Sequence, residues 1–315
     1  MKKEPSPTKK TPLPRSSAGR REPVRVRTLG HGADFDEILD IQRSVWGHGE
    51  TDVTPEHLFR ITTRLGAILL GGFLGDRLAG FVYSFPAVFE SRLVQHSHLL
   101  AVLPEYQGCG VGKSLKWAQR DRAIELGYDL ITWTFDPLQA RNANLNLHTL
   151  GAEARTYWRN FYGDQEALVL GPGVQTDRFL AEWPIKSRRV ARRRAGGPGE
   201  AIPRAAGCAL AARQEGPEPG GRRRQLPDGR DGKVQEKPGG FARPGRPDLT
   251  LRNRAILAEV PRAVSRLRDR PDLIAAWQRG LRRTLEHYLQ DGYIVHDFIF
   301  GDRCYYVLVP APVAR

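Results

Sequence analysis

The sequence is poor in cysteine and has no long apolar segment. Only three cysteines occur among 315 residues, at Cys109, Cys208 and Cys304, and their odd number and wide spacing disfavour a disulfide framework and predict a reducing compartment. No apolar run approaches the roughly 20 residues that a membrane-spanning helix needs, and residues 1–23 lack the apolar core of a signal peptide. We therefore expect a soluble cytoplasmic protein without a membrane partner.

The net charge of +14 is confined to two segments. Residues 1–27 carry nine Lys/Arg against two acids and residues 186–254 carry eighteen against seven, so the remainder of the chain is acidic by four charges. Both segments are rich in proline and glycine and lack hydrophobic periodicity, which predicts disorder. The basic residues either face solvent in these segments or bind RNA, DNA or an acidic partner. The latter is disfavoured because Phe241 is the sole aromatic residue in the second segment.

Composition and hydrophobic patterning divide the chain into four parts. We expect a disordered basic tail over residues 1–23, an α/β domain over 24–185, a basic Pro/Gly-rich linker over 186–254, and a strand, helix and hairpin over 255–315. The last part has about sixty residues and one amphipathic helix, which is marginal for independent stability. It should therefore pack against the preceding domain.

The most informative segment is residues 100–112, where an apolar strand ends at a proline and a glycine-rich turn opens a helix. Gly108, Gly110 and Gly112 would let backbone N–H groups approach an anion, and the positive end of the helix points at the same place. The even glycine spacing does not fit a dinucleotide-binding G-x-G-x-x-G loop. A Walker loop is excluded because Gln107 occupies the position of its first glycine. A turn without a ligand is left open.

This segment resembles the acyl-CoA loop of the GNAT superfamily of N-acyltransferases, which has the form V-x-P-x-x-Q/R-x-x-G-x-G. The residues in register are Val102, Pro104, Gln107, Gly110 and Gly112. The resemblance extends over about residues 24–185. The strings at 133–138, 140–147 and 177–184 are similar to a larger, poorly characterised branch of the superfamily. The resemblance implies a mixed α/β fold with a mostly antiparallel sheet flanked by helices.

The resemblance implies acetyl-CoA or another acyl-CoA as co-substrate, and no metal is expected. The pyrophosphate would be held by backbone N–H groups of the loop, Lys113 would add charge, and Asn142 would contact the pantetheine amides. The N–H of Val102 or of Leu103 would donate to the thioester carbonyl. The residues implied in cofactor binding are Val102, Leu103, Gln107, Gly108, Cys109, Gly110, Val111, Gly112, Lys113 and Asn142.

The acid and base are less clearly indicated. The tyrosine that protonates the leaving thiolate in most members falls at Leu147, and Tyr157 or Tyr162 from the next strand would replace it. The candidate bases are His96, His98, Glu105 and Asp136, and we select Asp136, His98 and Tyr157 as the catalytic set. Some of these residues have structural alternatives: Asp136 as an Asp-Pro turn former, the two histidines as part of a partly exposed sheet face, and Asn142 as a helix cap.

Three functions remain open. The first is N-acylation of a primary amine of a small molecule, such as an amino acid, with acetyl-CoA or a larger donor such as succinyl-CoA. The second is acylation of a protein or nucleic-acid-bound substrate that the basic segments would dock. The third is a catalytically degenerate module that binds coenzyme A, for which Leu147 is the main support.

Overall fold

A computed structural model describes residues 22–30, 32–47, 53–163, 174–197, 208–212, 214–215 and 243–312. The predicted disorder of the basic tail and of most of the linker falls outside these residues. The described residues form two compact units, which lie within residues 1–132 and residues 133–315. Among the described residues, no helix is long and apolar enough to cross a membrane.

The first unit is an antiparallel sheet with helices. Its elements are β1 (Arg25–Thr28), α1 (Gly32–Trp46), α2 (Glu56–Arg64), β2 (Ile68–Leu74), β3 (Arg77–Phe89), β4 (Arg92–Val102), α3 (Val111–Glu125) and the first residues of β5 (Leu130–Phe135). Strands β1 to β4 pair antiparallel in sequence order, and β4 pairs parallel with β5 through Gln95↔Ile131 and His96↔Thr132. The predicted order of strand, loop and helix is confirmed.

The start of α3 is fixed by its close approach to β2. Every residue of β2 is buried, as expected for a continuous apolar strand covered on both faces. A Cβ atom at Gly72 of β2 would lie 2.9 Å from Val111 Cγ1, the first residue of α3, and 3.2 Å from Leu115 Cγ. Glycine is needed at this point because a side chain would push the helix away. The loop before α3 is thus held against the sheet by packing.

The second unit is built around a second run of strands. Its elements are α4 (Ala140–Ala143), a π-helical turn (Asn144–Thr149), β6 (Glu153–Trp158), β7 (Arg178–Pro184), α5 (Arg188–Arg194), β8 (Cys208–Ala212), β9 (Gln214–Glu215), β10 (Arg243–Pro244), β11 (Ala255–Val260), α6 (Pro271–Gln290), β12 (Tyr293–Phe300) and β13 (Cys304–Pro310). The strand order is β5-β7-β6-β12-β13-β11-β8, and β9 and β10 form a separate pair. The pairs β6–β7, β6–β12, β12–β13 and β11–β13 are antiparallel, which agrees with the predicted mixed, mostly antiparallel fold class.

The amphipathic helix predicted in the C-terminal part is α6. Its apolar face is buried and includes Ile274, Trp277, Leu281, Leu285 and Tyr288. The following hairpin, β12 and β13, joins the strands of the preceding segment, because β12 pairs with β6 through Val295↔Ala154. Residues 133–184 therefore share one unit with residues 255–310. The units divide at Thr132/Trp133, inside the segment that the sequence analysis treats as one domain over 24–185.

Helix α5 lies in the segment predicted to be a disordered linker, so that prediction is wrong for residues 188–194. Ser187 caps the helix, its Oγ accepting from the N–H of Val190 at 3.3 Å. Arg189 and Arg193, one turn apart, are buried and bonded within the unit. The basic run was expected to face solvent, whereas two of its arginines bond to groups inside the unit.

Candidate functional site

The end of β4 directs one backbone N–H away from β3. The N–H of Leu103 donates to the carbonyl of Ala79 at 3.0 Å, while Val102 lies opposite Gly80. In an antiparallel ladder, bonded and non-bonded residue pairs alternate, so the N–H and C=O of Val102 point to the opposite edge of the strand. Of the two N–H groups predicted to donate to a thioester carbonyl, that of Leu103 is already bonded to Ala79. The N–H of Val102 is directed away from β3, so it is the better candidate donor.

The loop after β4 uses some of the N–H groups that the sequence analysis assigned to the anion. The N–H of Gln107 donates to the carbonyl of Pro104 at 3.3 Å, and that of Cys109 donates to the carbonyl of Tyr106 at 3.2 Å. A single-turn 3-10 helix over Pro104–Tyr106, with Tyr106 buried, sets this geometry. The backbone of Gln107 and Cys109 is thus committed to the loop itself, contrary to the prediction.

The anion-binding geometry is at the first turn of α3. Gly110 precedes the helix with φ of +88°, a left-handed conformation that favours glycine, and no side chain caps the helix. The first backbone bond of the helix is from the N–H of Ser114 to the carbonyl of Gly110 at 2.9 Å. The N–H groups of residues 110–113 therefore precede the helical ladder and are aligned with the positive end of the helix. Such a group of donors can hold a phosphate.

The side chains of the loop contribute little to this cradle. Gln107 folds back, and its Nε2 donates to the carbonyl of Val102 at 3.3 Å. Cys109 is a half-buried free thiol, and Lys113 is exposed at the start of α3. Gly108, like Gly110, has a left-handed backbone, with φ of +80°. The loop therefore presents mainly backbone groups.

His96 and His98 lie on one face of β4, as the alternation predicts. Their rings are 5.6 and 5.7 Å from the ring of Phe85, and His98 also meets Tyr83 edge-on. His96 Nδ1 lies 3.1 Å from Thr132 Oγ1. Burial, with smaller contributions from His98 and the buried Lys116, lowers the pKa of His96 to about 4. Partial burial of the His98 ring also lowers its pKa, although one edge is exposed. Both imidazoles are neutral near pH 7 and can accept a proton.

Asp136 forms the turn that the sequence analysis gives as its alternative role. Its Oδ1 accepts from the N–H of Leu138 at 2.8 Å, and its Oδ2 lies 3.5 Å from Nε2 of Gln139. Burial raises the pKa of this carboxyl, and the bond from Leu138 opposes the rise. The Asp-Pro turn leads into α4, which begins after Gln139 without a side-chain cap, so Asn142 does not cap the helix. Asn142 is exposed on α4.

Tyr157 is committed to a buried ionic network. Its hydroxyl donates to Asp177 Oδ2 at 2.5 Å, and Arg282 donates to both carboxylate oxygens of Asp177 at 2.8 and 2.7 Å. Burial and the charge of Asp177 raise the pKa of Tyr157 far above its ordinary value. This arrangement disfavours the predicted role of Tyr157 as proton donor. Tyr162 instead meets Thr134, with 3.1 Å between the two hydroxyl oxygens.

A buried leucine occupies the position at which most members of the family have a tyrosine. Leu147 is fully buried in the π-helical turn that continues α4. A buried lysine on α3, Lys116, was not predicted, because it lies among apolar positions and belongs to no motif. Lys116 Nζ donates to Gln119 Oε1 at 2.7 Å and to Ser97 Oγ at 3.1 Å, and burial lowers its pKa well below the ordinary value.

Comparison with known proteins identifies the first part of this site. Residues 35–151 match the model of the family described as Acetyltransferase (GNAT) family. This segment is a GNAT acetyltransferase domain. The match begins in α1, includes β4, the loop and α3, and ends at Gly151 after the π-helical turn. No group of His, Cys, Asp or Glu among the described residues of the chain could hold a metal ion.

Several solved structures are similar to about half of the chain, and no curated protein matches it. The ribosomal-protein-S18-alanine N-acetyltransferase of Escherichia coli is 18% identical over 52% of this chain and 95% of its own, with a TM-score of 0.41. The yncA protein of Salmonella typhimurium, solved with its cofactor acetyl-CoA, is 17% identical over 53% and 96%, with a TM-score of 0.43. A GNAT family acetyltransferase of Elizabethkingia anophelis with bound acetyl-CoA is 15% identical over 51% and 97%, with a TM-score of 0.40.

Proposed function

We propose that the protein is an acyl-CoA-dependent N-acyltransferase that acts on a primary amine of a small molecule, such as an amino acid. The donor would be acetyl-CoA or a larger acyl-CoA such as succinyl-CoA. The observation that carries the proposal is the uncapped first turn of α3 behind Gly110, within a segment that belongs to the GNAT family. The four N–H groups of residues 110–113 suit the pyrophosphate of coenzyme A.

The residues of β4 suit the reaction. Acyl transfer forms a C–N bond, breaks the thioester C–S bond and removes a proton from the amine. In the proposal, the N–H of Val102 donates to the carbonyl oxygen as negative charge develops there. His98 lies on the same strand and takes the amine proton, since the lowered pKa keeps its ring neutral at pH 7. Asp136 is a second candidate base, held in its turn by Leu138.

The departing thiolate does not depend on a tyrosine in this proposal. Leu147 occupies the usual position of the proton donor, and Tyr157 is engaged by Asp177. A thiol has a pKa of about 8.5, so a thiolate leaves more readily than an alkoxide and can take its proton from water. The buried Leu147 also favours a second candidate, a degenerate domain that binds coenzyme A and transfers nothing.

Calorimetric titration of the full chain with coenzyme A and acetyl-CoA tests the cofactor site. The variant is Gly110→Ala and its matched control is Gly127→Ala. Both glycines have left-handed backbones, with φ of +88° and +89°, and a Cβ would meet nothing within 4 Å at either position. Both substitutions thus strain the backbone similarly, but only the first distorts the start of α3.

We expect micromolar binding by the unaltered protein, at least roughly tenfold weaker binding in Gly110→Ala, and unchanged binding in Gly127→Ala. No binding by the folded, unaltered protein would overturn the proposal. Release of free thiol is then measured with a panel of amines and with acetyl-CoA or succinyl-CoA. Binding without thiol release for any amine would favour the degenerate domain.

A further inference from the structure

A groove with strong positive charge lies along α6 in the second unit. Its volume is about 330 Å³, and its charged walls are Arg159, Arg279, Arg282, Arg283 and Glu286, with His287 beside them. The lining residues therefore carry four guanidinium groups and one carboxylate. The groove has no part in the acyl-transfer chemistry proposed above.

Two of the four arginines are neutralised by partners that also fix their position. Arg159 makes a two-pronged ion pair with Glu286, at 2.5 Å for each contact. Arg282 makes a similar pair with the buried Asp177 and also bonds Gln175. These contacts satisfy the carboxylates near the groove. They leave no acidic group among the lining residues to pair with the other two arginines.

Arg279 and Arg283 are exposed and, in the described part of the chain, have no ion pair. They are one turn apart on α6, so both guanidinium groups project from the same face into the groove. Like charges at this spacing destabilise a helix. An anion bound between them would reverse that effect, because each guanidinium can donate two parallel hydrogen bonds to a phosphate or carboxylate.

We propose that this groove binds a small phosphate-bearing ligand, either a phosphate ester or inorganic pyrophosphate. Arginine forks match the oxygens of a phosphate, and the volume suits a small molecule rather than a polymer. No Phe, Tyr or Trp lines the groove, so there is no surface on which the bases of a single-stranded nucleic acid would stack. The proposal is independent of the acyltransferase activity.

The test is calorimetric titration of the full chain with inorganic pyrophosphate. Because the start of α3 also suits a pyrophosphate, each variant is made both in the unaltered protein and in Gly110→Ala. The variant is the double substitution R279A/R283A, and the matched control is R188A/R268A. The control removes two arginines that are also exposed and have no ion pair in the described residues. Thermal unfolding checks that all variants fold.

We expect R279A/R283A to weaken pyrophosphate binding at least roughly tenfold in the Gly110→Ala background, since each arginine supplies charge-assisted hydrogen bonds. The control should not change it. Binding of coenzyme A should be unaffected by R279A/R283A. Repeating the titration with glucose 6-phosphate distinguishes a phosphate ester from free pyrophosphate. The proposal is overturned if Gly110→Ala binds neither pyrophosphate nor glucose 6-phosphate, if R279A/R283A binds the same ligand as well as the control does, or if R279A/R283A loses coenzyme A.

Discussion

The start of α3 in the first unit and two buried carboxylates in the second unit differ in how their polar groups are bonded. At the start of α3 in the first unit, the N–H groups of residues 110–113 lie outside the helical ladder and have no side-chain cap. In the second unit, Asp177 and Asp297 are almost fully buried, and each accepts from an arginine and from a further group. Unsatisfied donors at a helix start suit a ligand, whereas the buried carboxylates hold secondary-structure elements together.

Two pairs of arginines in the second unit also differ in whether they are bonded to internal partners. Arg189 and Arg193 on α5, and Arg279 and Arg283 on α6, are both pairs one turn apart on a helix. The first pair is buried and bonded to internal acceptors, and the second is exposed without an ion pair among the described residues. The spacing of two arginines therefore does not indicate their role, whereas the groups to which they bond do.

The largest expected effect comes from breaking the buried ion pair between Arg193 and Asp297 in the second unit. Arg193 Nη2 donates to Asp297 Oδ2 at 2.6 Å, and the two side chains are 5% and 2% exposed. Asp297→Ala leaves a buried guanidinium without its partner, so we expect the free energy of unfolding to fall by about 3–5 kcal/mol. Urea denaturation followed by circular dichroism measures this change.

Asp302→Ala is the control for that substitution. The Asp302 side chain is fully exposed and pairs with Arg262 at 3.5 Å, so its removal should leave the urea midpoint unchanged. Coenzyme A affinity should be the same in both variants if the network is structural only. The comparison between the units breaks down if Asp297→Ala is as stable as the control, or if it binds coenzyme A more weakly.

A smaller effect is expected from His96 in the first unit, a half-buried side chain without a charged partner. The pKa of His96 is lowered to about 4 from an ordinary 6.5, so the folded state binds fewer protons than the unfolded state between these values. Stability should therefore decline as the pH falls from 6.5 and reach its full loss, about 3 kcal/mol, near pH 4. Below that pH the contribution of His96 becomes constant.

Urea denaturation of the unaltered protein, His96→Gln and His57→Gln over this pH range tests the contribution. Glutamine cannot be protonated, so His96→Gln should lose less stability on acidification than the unaltered protein. His57 on α2 is exposed, and His57→Gln is the control for replacing a histidine by glutamine at the surface. Parallel curves for all three proteins would show that His96 is accessible to protons in the folded state.

The sequence predicted those parts of the fold that depend on local pattern. The strand β4, the glycines of the loop and the apolar face of α3 lie within about thirty residues, and each has its own propensity or turn signal. The buried networks were missed because their partners are remote: Arg193 and Asp297 are 104 residues apart, and Arg282 and Asp177 are 105 apart. No spacing rule connects such pairs. The same limit explains why α5 was predicted as linker and Tyr157 as an available proton donor.

The smallest expected effect concerns a side chain within the proposed cofactor loop. Gln107 belongs to the family motif, yet its Nε2 donates to the carbonyl of Val102 at 3.3 Å, and its backbone N–H donates to Pro104. If the cradle is made by the N–H groups of residues 110–113, Gln107→Ala removes one exposed neutral hydrogen bond. Coenzyme A affinity should then weaken by only about twofold to threefold.

Gln107→Ala and Gly110→Ala together separate side-chain from backbone binding in one loop. Calorimetric titration with coenzyme A should give a far larger loss for Gly110→Ala, because a left-handed residue with a Cβ displaces several donors at once. A loss in Gln107→Ala as large as in Gly110→Ala would mean that the Gln107 side chain leaves Val102 and contacts the cofactor. In that case the uncapped turn of α3 is only part of the site, and the contrast between the open start of α3 and the buried carboxylates of the second unit would have to include side chains as well as backbone.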